Sequence, residues 1–228
     1  LDQLMSVNFA VLIAVFILTQ TLLFFFAFRY TFSAGRKSFF YTDNHKIELA
    51  WTAIPALVLF GLSFSGIREW NKITASPSPE AMVIEIYGKQ FDWTSRYAGT
   101  DNRLGKSDFR MISDENMIGL NLADKAGHDD IITNELHLPL NRPVTLVLHS
   151  RDIIHSAYLP HFRVQMNCVP GMTTRFSFTP SVTTQEMRKK TGNDRFDYVL
   201  LCNKICGVAH FNMKMKVVCD TQADFARW

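Results

Sequence analysis

The chain has 228 residues and a formal net charge of +3 at pH 7, and 47% of its residues are hydrophobic. This length has room for one ordinary domain and additional segments. The small net charge gives no indication of a nucleic-acid partner. The chain begins at Leu1 rather than Met, which indicates processing or an incomplete N-terminus, and it shows no recognisable signal peptide with a cleavage site.

Two stretches near the N-terminus lack charged residues, at positions 3–28 and 49–67. A helix of about 20 apolar residues crosses the hydrocarbon core of a bilayer. The sequence therefore predicts a transmembrane hairpin over residues 1–72, with spans at about 7–28 and 49–67. Pro55 lies near the start of the second stretch, where a missing N–H is best tolerated. The alternative is a pair of buried helices in a soluble core.

The segment between the spans carries more basic than acidic residues, namely Arg29, Arg36, Lys37 and Lys46 against Asp43 and Glu48. By the positive-inside rule this segment stays in the cytoplasm. Both chain ends then lie on the opposite side, where an external globular domain is expected. The stretch ITASPSPEA, residues 73–81, is predicted to be a turn-rich linker.

The sequence changes to a strand pattern from Met82 onward. The predicted strands are short and rich in β-branched and aromatic residues: MVIEIYG, ELHL, VTLVLHS, TRFSFTP, DYVLLC and MKMKVVC. This spacing favours an antiparallel sandwich or small barrel over residues 82–220. Residues 98–130 are polar and are predicted to form a surface insertion, and residues 221–228 form a C-terminal tail.

One run, CNKICGVAHFNM, carries the strongest chemical signal. It contains Cys202, Cys206, His210 and Met213 in the pattern C-x3-C-x3-H-x2-M. Thiolate, imidazole and thioether ligands suit copper, and a single blue-copper site needs only one Cys. Two thiolates bridging two copper ions would use both cysteines. His155 is the best candidate for a second imidazole.

Each of these residues also has a structural interpretation. The two cysteines of the run could form a short-loop disulfide, with His210 at the surface and Met213 in the core. Cys168 and Cys219 fit no ligand pattern and could pair with each other or remain buried free thiols. Four histidines outside the pattern, His45, His128, His137 and His161, are expected to be surface or core residues rather than ligands.

Three motifs together resemble subunit II of haem–copper cytochrome c oxidases. The metal run resembles C-x-E-x-C-x3-H-x2-M, and HSAYLPHFRVQMNCVPGM resembles the family's segment with the ligand His. Glu48, Trp51, Thr52 and Pro55 match the pattern E-x-x-W-T-x-x-P at the head of the second helix. The resemblance implies a two-helix transmembrane hairpin followed by an all-β cupredoxin domain, a Greek-key β-sandwich that holds a dinuclear CuA centre.

The resemblance also implies the roles of the metal-site residues. Cys202 and Cys206 bridge two copper ions, and His155 and His210 each cap one of them. Met213 is a weak ligand to one copper, and the backbone carbonyl of Lys204 is a weak ligand to the other.

The sequence departs from the family pattern near a magnesium ion that family members share with the catalytic subunit. Lys204 stands where a carboxylate is usual, Asn167 replaces an Asp, and Met172 replaces an Arg. The resemblance therefore gives little support for an interface magnesium site.

A further departure concerns electron uptake from cytochrome c. In YGKQFDW, Phe91 stands where the family has an electron-accepting Trp, and Trp93 is retained. Arg151 occupies a position that is often acidic in members that dock a basic cytochrome, and Asp152 remains. The donor is therefore predicted to be acidic, membrane-tethered or complex-bound. Alternatively, Phe91 and Trp93 are simply core residues of a strand.

Glu48 occupies the position of a carboxylate at the mouth of the family's proton pathway. The alternative is a membrane-boundary charge that only fixes the position of the helix.

The predicted function is electron acceptance from a c-type cytochrome and transfer to haem in catalytic subunit I, which reduces oxygen with proton pumping. The predicted partners are subunit I, other oxidase subunits, the cytochrome and the lipid bilayer. The predicted location is a bacterial inner membrane with the β domain in the periplasm, or the equivalent side of a mitochondrial inner membrane. A membrane-anchored copper chaperone and a ligand-free subunit of quinol-oxidase type are the alternatives.

Overall fold

The computed structural model of the protein describes residues 2–37, 39–101 and 103–228. Contacts between residues divide the chain into two compact units, Leu1–Lys72 and Ile73–Trp228. The first unit is helical and the second is built of β-strands.

Two long helices make up the first unit: α1, Asp2–Arg29, and α2, His45–Ile73. At 1.5 Å per residue, the 28 residues of α1 extend over roughly 42 Å, which exceeds the hydrocarbon thickness of a bilayer. No described residue of either helix is buried. Both helices are long and apolar enough to cross a membrane. An apolar helix with no protein cover is suited to lipid, so a soluble core is not supported.

Helix α2 begins earlier than the predicted span, and this changes the position of Pro55. Pro55 is an interior residue of the helix, whereas the sequence placed it near a helix start. The helix starts at His45 because Asn44 caps it, with its Oδ1 accepting from the N–H groups of Lys46 and Ile47. The predicted span was defined by the run of uncharged residues, so it did not include the polar first turn of the helix.

In the described part of the second unit, ten strands form two five-stranded sheets. The first sheet has the order β3-β2-β1-β5-β8, and its strands are β1, Met82–Lys89, β2, Asp92–Tyr97, β3, Ile131–Thr133, β5, Val144–Ser150, and β8, Thr174–Phe178. The second has the order β4-β10-β9-β6-β7, and its strands are β4, Glu135–Pro139, β6, His155–Leu159, β7, Val164–Cys168, β9, Tyr198–Cys202, and β10, Lys214–Asp220. One core of buried side chains joins the two sheets, so the unit is a β-sandwich.

Strand directions bring several functional segments to one end of the sandwich. Strands β1 and β5 are parallel, so their C-terminal ends lie side by side. In the other sheet β6 is antiparallel to β7 and to β9, which places the start of β6 beside the ends of both neighbours. Strand β10 begins opposite the end of β9. The connections 90–91, 151–154 and 203–213 therefore gather at this end.

Two short helices occur outside the predicted elements, α3, Thr184–Thr191, and α4, Gln222–Arg227. Helix α3 starts with a capping box between Thr183 and Glu186 and is capped at its C-terminus by Gly192, which has a φ of 65°. The predicted tail thus contains α4.

The predicted insertion 98–130 is folded against the first sheet rather than lying free on the surface. Arg96 is fully buried, and its guanidinium pairs with Glu85 at 2.8 Å and with Asp130 at 2.5 Å. Two insertion residues, Ile118 and Leu120, are buried in a small cluster with Tyr87. A buried cation must be paired with carboxylates, because desolvating an isolated charge is costly.

The strand order also shows that Cys168 and Cys219 are too far apart to form a disulfide with each other. Strand β7 holds Cys168 and β10 holds Cys219, with β6 and β9 between them. Three strand spacings amount to about 14 Å, whereas a disulfide needs Cα atoms within about 7 Å. All four cysteines lie in the described part of the chain, and each is free. The two residues are thus buried thiols, and burial raises the pKa of each to about 12.

Candidate metal centre

The candidate metal centre lies at the end of the sandwich where the three connections meet. It is formed by the start of β6, the end of β9 and the β9–β10 loop. Donor atoms of His155, Cys202 and Cys206 all lie within 4.8 Å of one another. The sequence run and the distant His are thereby brought together.

His155 is the first residue of β6, and its side chain points into the sandwich with no exposed surface. The missing side chain of Gly88 on β1 makes room for it. A Cβ atom at Gly88 would lie 2.9 Å from the ring of Trp93 and 3.2 Å from that of His155. Trp93 packs edge-on against His155, with ring centroids 6.0 Å apart. The apolar core therefore fixes one face of the imidazole.

Cys202 has two further donors beside it. Its Sγ lies 3.8 Å from His155 Nδ1 and 3.3 Å from the carbonyl oxygen of Lys204. The Lys204 side chain is exposed, so only its backbone faces the centre.

Cys206 has a different pair of donors. Its Sγ lies 3.5 Å from His210 Nδ1 and 3.8 Å from Met213 Sδ. A short 3-10 helix, His210–Asn212, turns the chain so that both residues face the sulfur. The two cysteine sulfurs are 3.8 Å apart. The centre thus consists of two donor sets, each with one thiol, one imidazole and one weak donor.

These separations fit first-row metal ions. Bonds of about 2.3 Å to sulfur and 2.0 Å to nitrogen can join donors up to about 4.3 Å apart, and both sulfur–nitrogen distances are shorter. The chemistry of the donor set, with two thiols and a thioether, fits copper better than it fits harder ions. Burial, together with the neighbouring Cys202, raises the pKa of Cys206 to about 11. A bound metal would therefore have to displace the thiol proton.

Asp152 orients the His155 ring from the side opposite Cys202. Its Oδ1 lies 2.7 Å from His155 Nε2, and it also accepts from the N–H of Ile153. An ionised carboxylate only accepts, so Nε2 carries the proton and Nδ1 keeps its lone pair for a metal. Burial raises the pKa of Asp152, but hydrogen bonds from the Gln90 amide, His155 and the Ile153 amide outweigh burial and leave that pKa below its ordinary value.

The β1–β2 turn contacts the loop that carries Cys206. Gln90 Nε2 donates to the carbonyl oxygen of Cys206 over 2.6 Å. Gly207 has a φ of 135°, which favours glycine, and a Cβ there would lie 2.9 Å from the Phe91 ring. The half-buried Phe91 ring therefore lies directly against the metal-binding loop.

The predicted residues that are not copper ligands differ in their burial and in their location in the fold. Trp93 is fully buried, so it lies beneath the surface that a donor protein could touch. Asn167 and Met172 are exposed. Glu48 belongs to the helical unit, where its carboxylate accepts from the Asn44 N–H at 3.4 Å and lies 3.4 Å from His45.

Sequence reasoning missed the contribution of Asp152, Gln90 and Gly88. Asp152 was considered only as a charge on a docking face, but its carboxylate is occupied by His155 and two amide groups. The spacing D-x-x-H was a usable signal, because metal-binding histidines usually donate their second N–H to a carboxylate. Gln90 and Gly88 gave no comparable signal, since their contacts depend on the meeting of distant strands.

Comparison with known proteins gives a consistent result for both units. The sequence profile of the family described as cytochrome c oxidase subunit II, periplasmic domain, matches residues 82–220. The profile of the corresponding transmembrane domain matches residues 1–69.

Individual relatives cover nearly the whole chain. The alternative cytochrome c oxidase subunit 2 of Bradyrhizobium diazoefficiens is 35% identical over 227 residues, covering 98% of this chain and 77% of the relative. Cytochrome c oxidase subunit 2 of Thermostichus vulcanus is 27% identical, covering 100% and 73%. The crystal structure of the periplasmic domain of cytochrome oxidase subunit II from Bradyrhizobium japonicum aligns with a TM-score of 0.43 at 20% identity, covering 67% of this chain and 94% of that one.

Proposed function

Because this chain belongs to the cytochrome c oxidase subunit II family, we propose that it takes up electrons from a c-type cytochrome at a dinuclear CuA centre. The electrons pass to haem in catalytic subunit I, which reduces oxygen to water and pumps protons. Cys202 and Cys206 bridge the two copper ions in this proposal, and His155 and His210 each bind one. Met213 and the carbonyl oxygen of Lys204 are the weak ligands.

The observation that carries the proposal is the division of donors into two sets. Lys204 O and His155 surround Cys202, whereas His210 and Met213 surround Cys206. One metal ion could not use six donors with this distribution, because cupredoxin-type copper takes one thiolate and two imidazoles. Two ions that share both sulfurs use every donor.

When bound, the copper pair supplies one-electron redox chemistry. The residues of this chain hold their positions in advance and exclude water. His155 and Met213 are almost completely buried, and Asp152 holds the imidazole in one orientation. A centre that is already organised changes little in geometry when it gains or loses an electron, which favours rapid transfer.

Electron uptake is proposed at Phe91, with Trp93 beneath it. The Phe91 ring lies against Gly207, next to Cys206 in the chain. Arg151 occupies a position that is often acidic in family members that dock a basic cytochrome, and the Asp152 carboxylate is paired with His155. Neither residue therefore offers a free negative charge that would attract a basic cytochrome. The proposed donor is therefore a membrane-tethered or complex-bound cytochrome c, which reaches a high effective concentration without charge steering.

The metal-binding loop has the surface expected of a subunit within a larger complex. Ile205, Val208 and Phe211 are 89%, 91% and 87% exposed. Several large apolar side chains exposed on one short loop indicate a protein contact, so the proposal places oxidase subunits or the donor against this loop.

The protein is membrane-anchored, and the proposed side of the β domain follows from charge. The excess of basic residues between α1 and α2 favours a cytoplasmic location for that segment, so the proposed location of the β domain is the periplasm or its mitochondrial equivalent. Glu48 is proposed to lie at the mouth of a proton pathway. No interface magnesium is proposed, because Lys204 offers an ammonium group where a carboxylate would be needed.

The copper-chaperone alternative is not favoured. A protein that delivers copper needs donors that a partner can reach, whereas His155, Cys202, Cys206 and Met213 are all buried. The ligand-free quinol-oxidase alternative does not explain why six donors converge.

Rapid mixing of the assembled oxidase with a reduced c-type cytochrome tests the proposal. The absorption of the copper centre is expected to change before that of the haem. Cys206→Ser is expected to abolish the early phase. Haem reduction that precedes the copper signal, or that is unaffected in the variant, would show that electrons enter elsewhere.

A further inference from the structure

The β1–β2 turn contacts the metal centre on both of its sides. The backbone N–H of Gln90 donates to Asp152 Oδ2 over 2.6 Å, and Asp152 Oδ1 lies 2.7 Å from His155 Nε2. The side chain of the same Gln90 donates to the carbonyl oxygen of Cys206 over 2.6 Å. One residue of the turn is therefore linked to the His155 side and to the Cys206 side of the centre.

We propose that Asp152 and Gln90 are positioning residues that act as one clamp, fixing the two halves of the copper centre relative to each other and to Phe91. This inference rests on the proposed function, since it assumes that the centre binds two copper ions. Neither residue is itself a ligand. Asp152 acts through His155, and Gln90 acts through the Cys206–Gly207 peptide.

The two halves need such a link because they come from different parts of the fold. His155 starts β6, an interior strand of the second sheet, whereas Cys206 lies on the β9–β10 loop, outside the strands. A loop carries fewer constraints than a strand and is more mobile. The Gln90 side chain holds this loop at the same turn that holds Asp152, so the spacing between the halves is set by a single element.

The same clamp also positions Phe91. Phe91 follows Gln90 in the chain, and its ring lies against Gly207. Any movement of the Gln90 backbone away from Asp152 would separate this ring from the loop. The clamp therefore joins the metal geometry to the contact through which electrons are proposed to arrive.

Copper affinity of the full chain, purified in detergent and measured by competition with a chelator, provides the test. Asp152→Asn is compared with Asp92→Asn, which removes the same charge from the start of β2, where the carboxylate accepts from the Trp93 amide. Gln90→Leu is compared with Gln222→Leu, which removes an equal 2.6 Å bond to the Leu140 carbonyl. Losing groups that orient metal ligands typically lowers affinity roughly 10- to 100-fold, and that loss is expected for Asp152→Asn and Gln90→Leu but not for the controls.

The double variant distinguishes a clamp from two separate contacts. If the turn acts as one unit, Asp152→Asn/Gln90→Leu loses little more affinity than the weaker-binding single variant. Hyperfine splittings in the EPR spectrum are also expected to change in Asp152→Asn, which a general loss of stability would not cause. The clamp would be overturned if the loss of affinity in the double variant equalled the product of the two single-variant losses. It would also be overturned if the single variants had the same affinities and spectra as the controls. A wild-type chain that binds no copper pair would instead refute the proposed function.

Discussion

Cys202, at the end of β9, and Cys206, on the following loop, hold their sulfur atoms 3.8 Å apart. A disulfide requires about 2.05 Å, so the two sulfurs are not bonded. Two atoms that bind the same ion at about 2.3 Å can be separated by no more than about 4.6 Å. The sulfurs are therefore spaced for shared metal ions.

Serine in place of either cysteine is expected to abolish the dinuclear centre, because a hydroxyl is a much poorer copper ligand than a thiolate. Lys204→Ala is the matched control, since only the Lys204 backbone faces the centre. The absorption and EPR spectra of the copper-loaded full chain are the measurements. An unchanged dinuclear spectrum in Cys202→Ser or Cys206→Ser would refute the bridging role.

Phe91→Ala is expected to slow electron uptake at least several-fold, because it removes the aromatic ring that lies against Gly207. Phe109→Ala, which removes an exposed ring from the insertion, serves as the control. Rates are measured with the oxidase in its own membrane and with a soluble basic cytochrome across ionic strengths. Charge-steered encounters slow steeply as salt rises, and weak salt dependence is expected here. Fast, strongly salt-sensitive oxidation of the soluble cytochrome would exclude a tethered donor.

Glu48→Gln is expected to slow oxygen reduction in the assembled complex while copper reduction keeps its normal rate. The glutamine retains the hydrogen-bonding shape that meets the Asn44 N–H, so helix capping is largely preserved, but it cannot carry a proton. Steady-state oxygen consumption and the copper absorption are followed in parallel. Normal turnover in the variant would leave Glu48 as a residue that only fixes the helix start.

Glu85→Gln is expected to lower the free energy of unfolding of the β domain at neutral pH. Burial raises the pKa of Glu85, but hydrogen bonds from His149 and Tyr87 and the charge of Arg96 outweigh burial and lower it. The cost is expected to stay below roughly 3–5 kcal/mol, the range for breaking a buried pair, because Asp130 still pairs with Arg96.

The stabilisation contributed by Glu85 is expected to decrease as the pH falls. A folded-state pKa below the ordinary value of 4.5 means that the stabilisation is fully present above that pH and is lost as the pH falls through the folded-state pKa. The difference between wild type and Glu85→Gln should therefore shrink below about pH 4.5. Denaturant unfolding followed by tryptophan fluorescence, to which the buried Trp93 contributes, measures this difference, with Glu115→Gln at an exposed position as control. A constant difference across this pH range would be inconsistent with an ionised Glu85.

Local sequence patterns identified strands rich in β-branched and aromatic residues and missed elements with short or charged sequences. The predicted VTLVLHS coincides with β5 because its apolar residues face the core. Strand β7, VQMNC, was missed although it alternates, with Val164 and Cys168 buried and Gln165 and Asn167 exposed, because it is short and has few β-branched or aromatic residues. The charged helix α3 lacks apolar periodicity, although its capping box at Thr183 and Glu186 was a readable signal.

The metal run could be predicted because its donors are close in the chain and chemically distinctive. His155 could be named as the best candidate for a second imidazole, and the family motif then implied its role as a ligand. The links through Gln90 could not be predicted, because they exist only where the β1–β2 turn meets a loop more than 100 residues away. The fate of Cys168 and Cys219 likewise depended on strand order rather than on spacing.

The most direct test of the central claim is the metal content and EPR spectrum of the full chain loaded with copper. Two copper ions per chain, a purple colour and hyperfine structure from two equivalent copper nuclei are expected, because the six donors form two sets that share both sulfurs. One copper ion per chain with the hyperfine structure of a single nucleus would contradict the dinuclear centre.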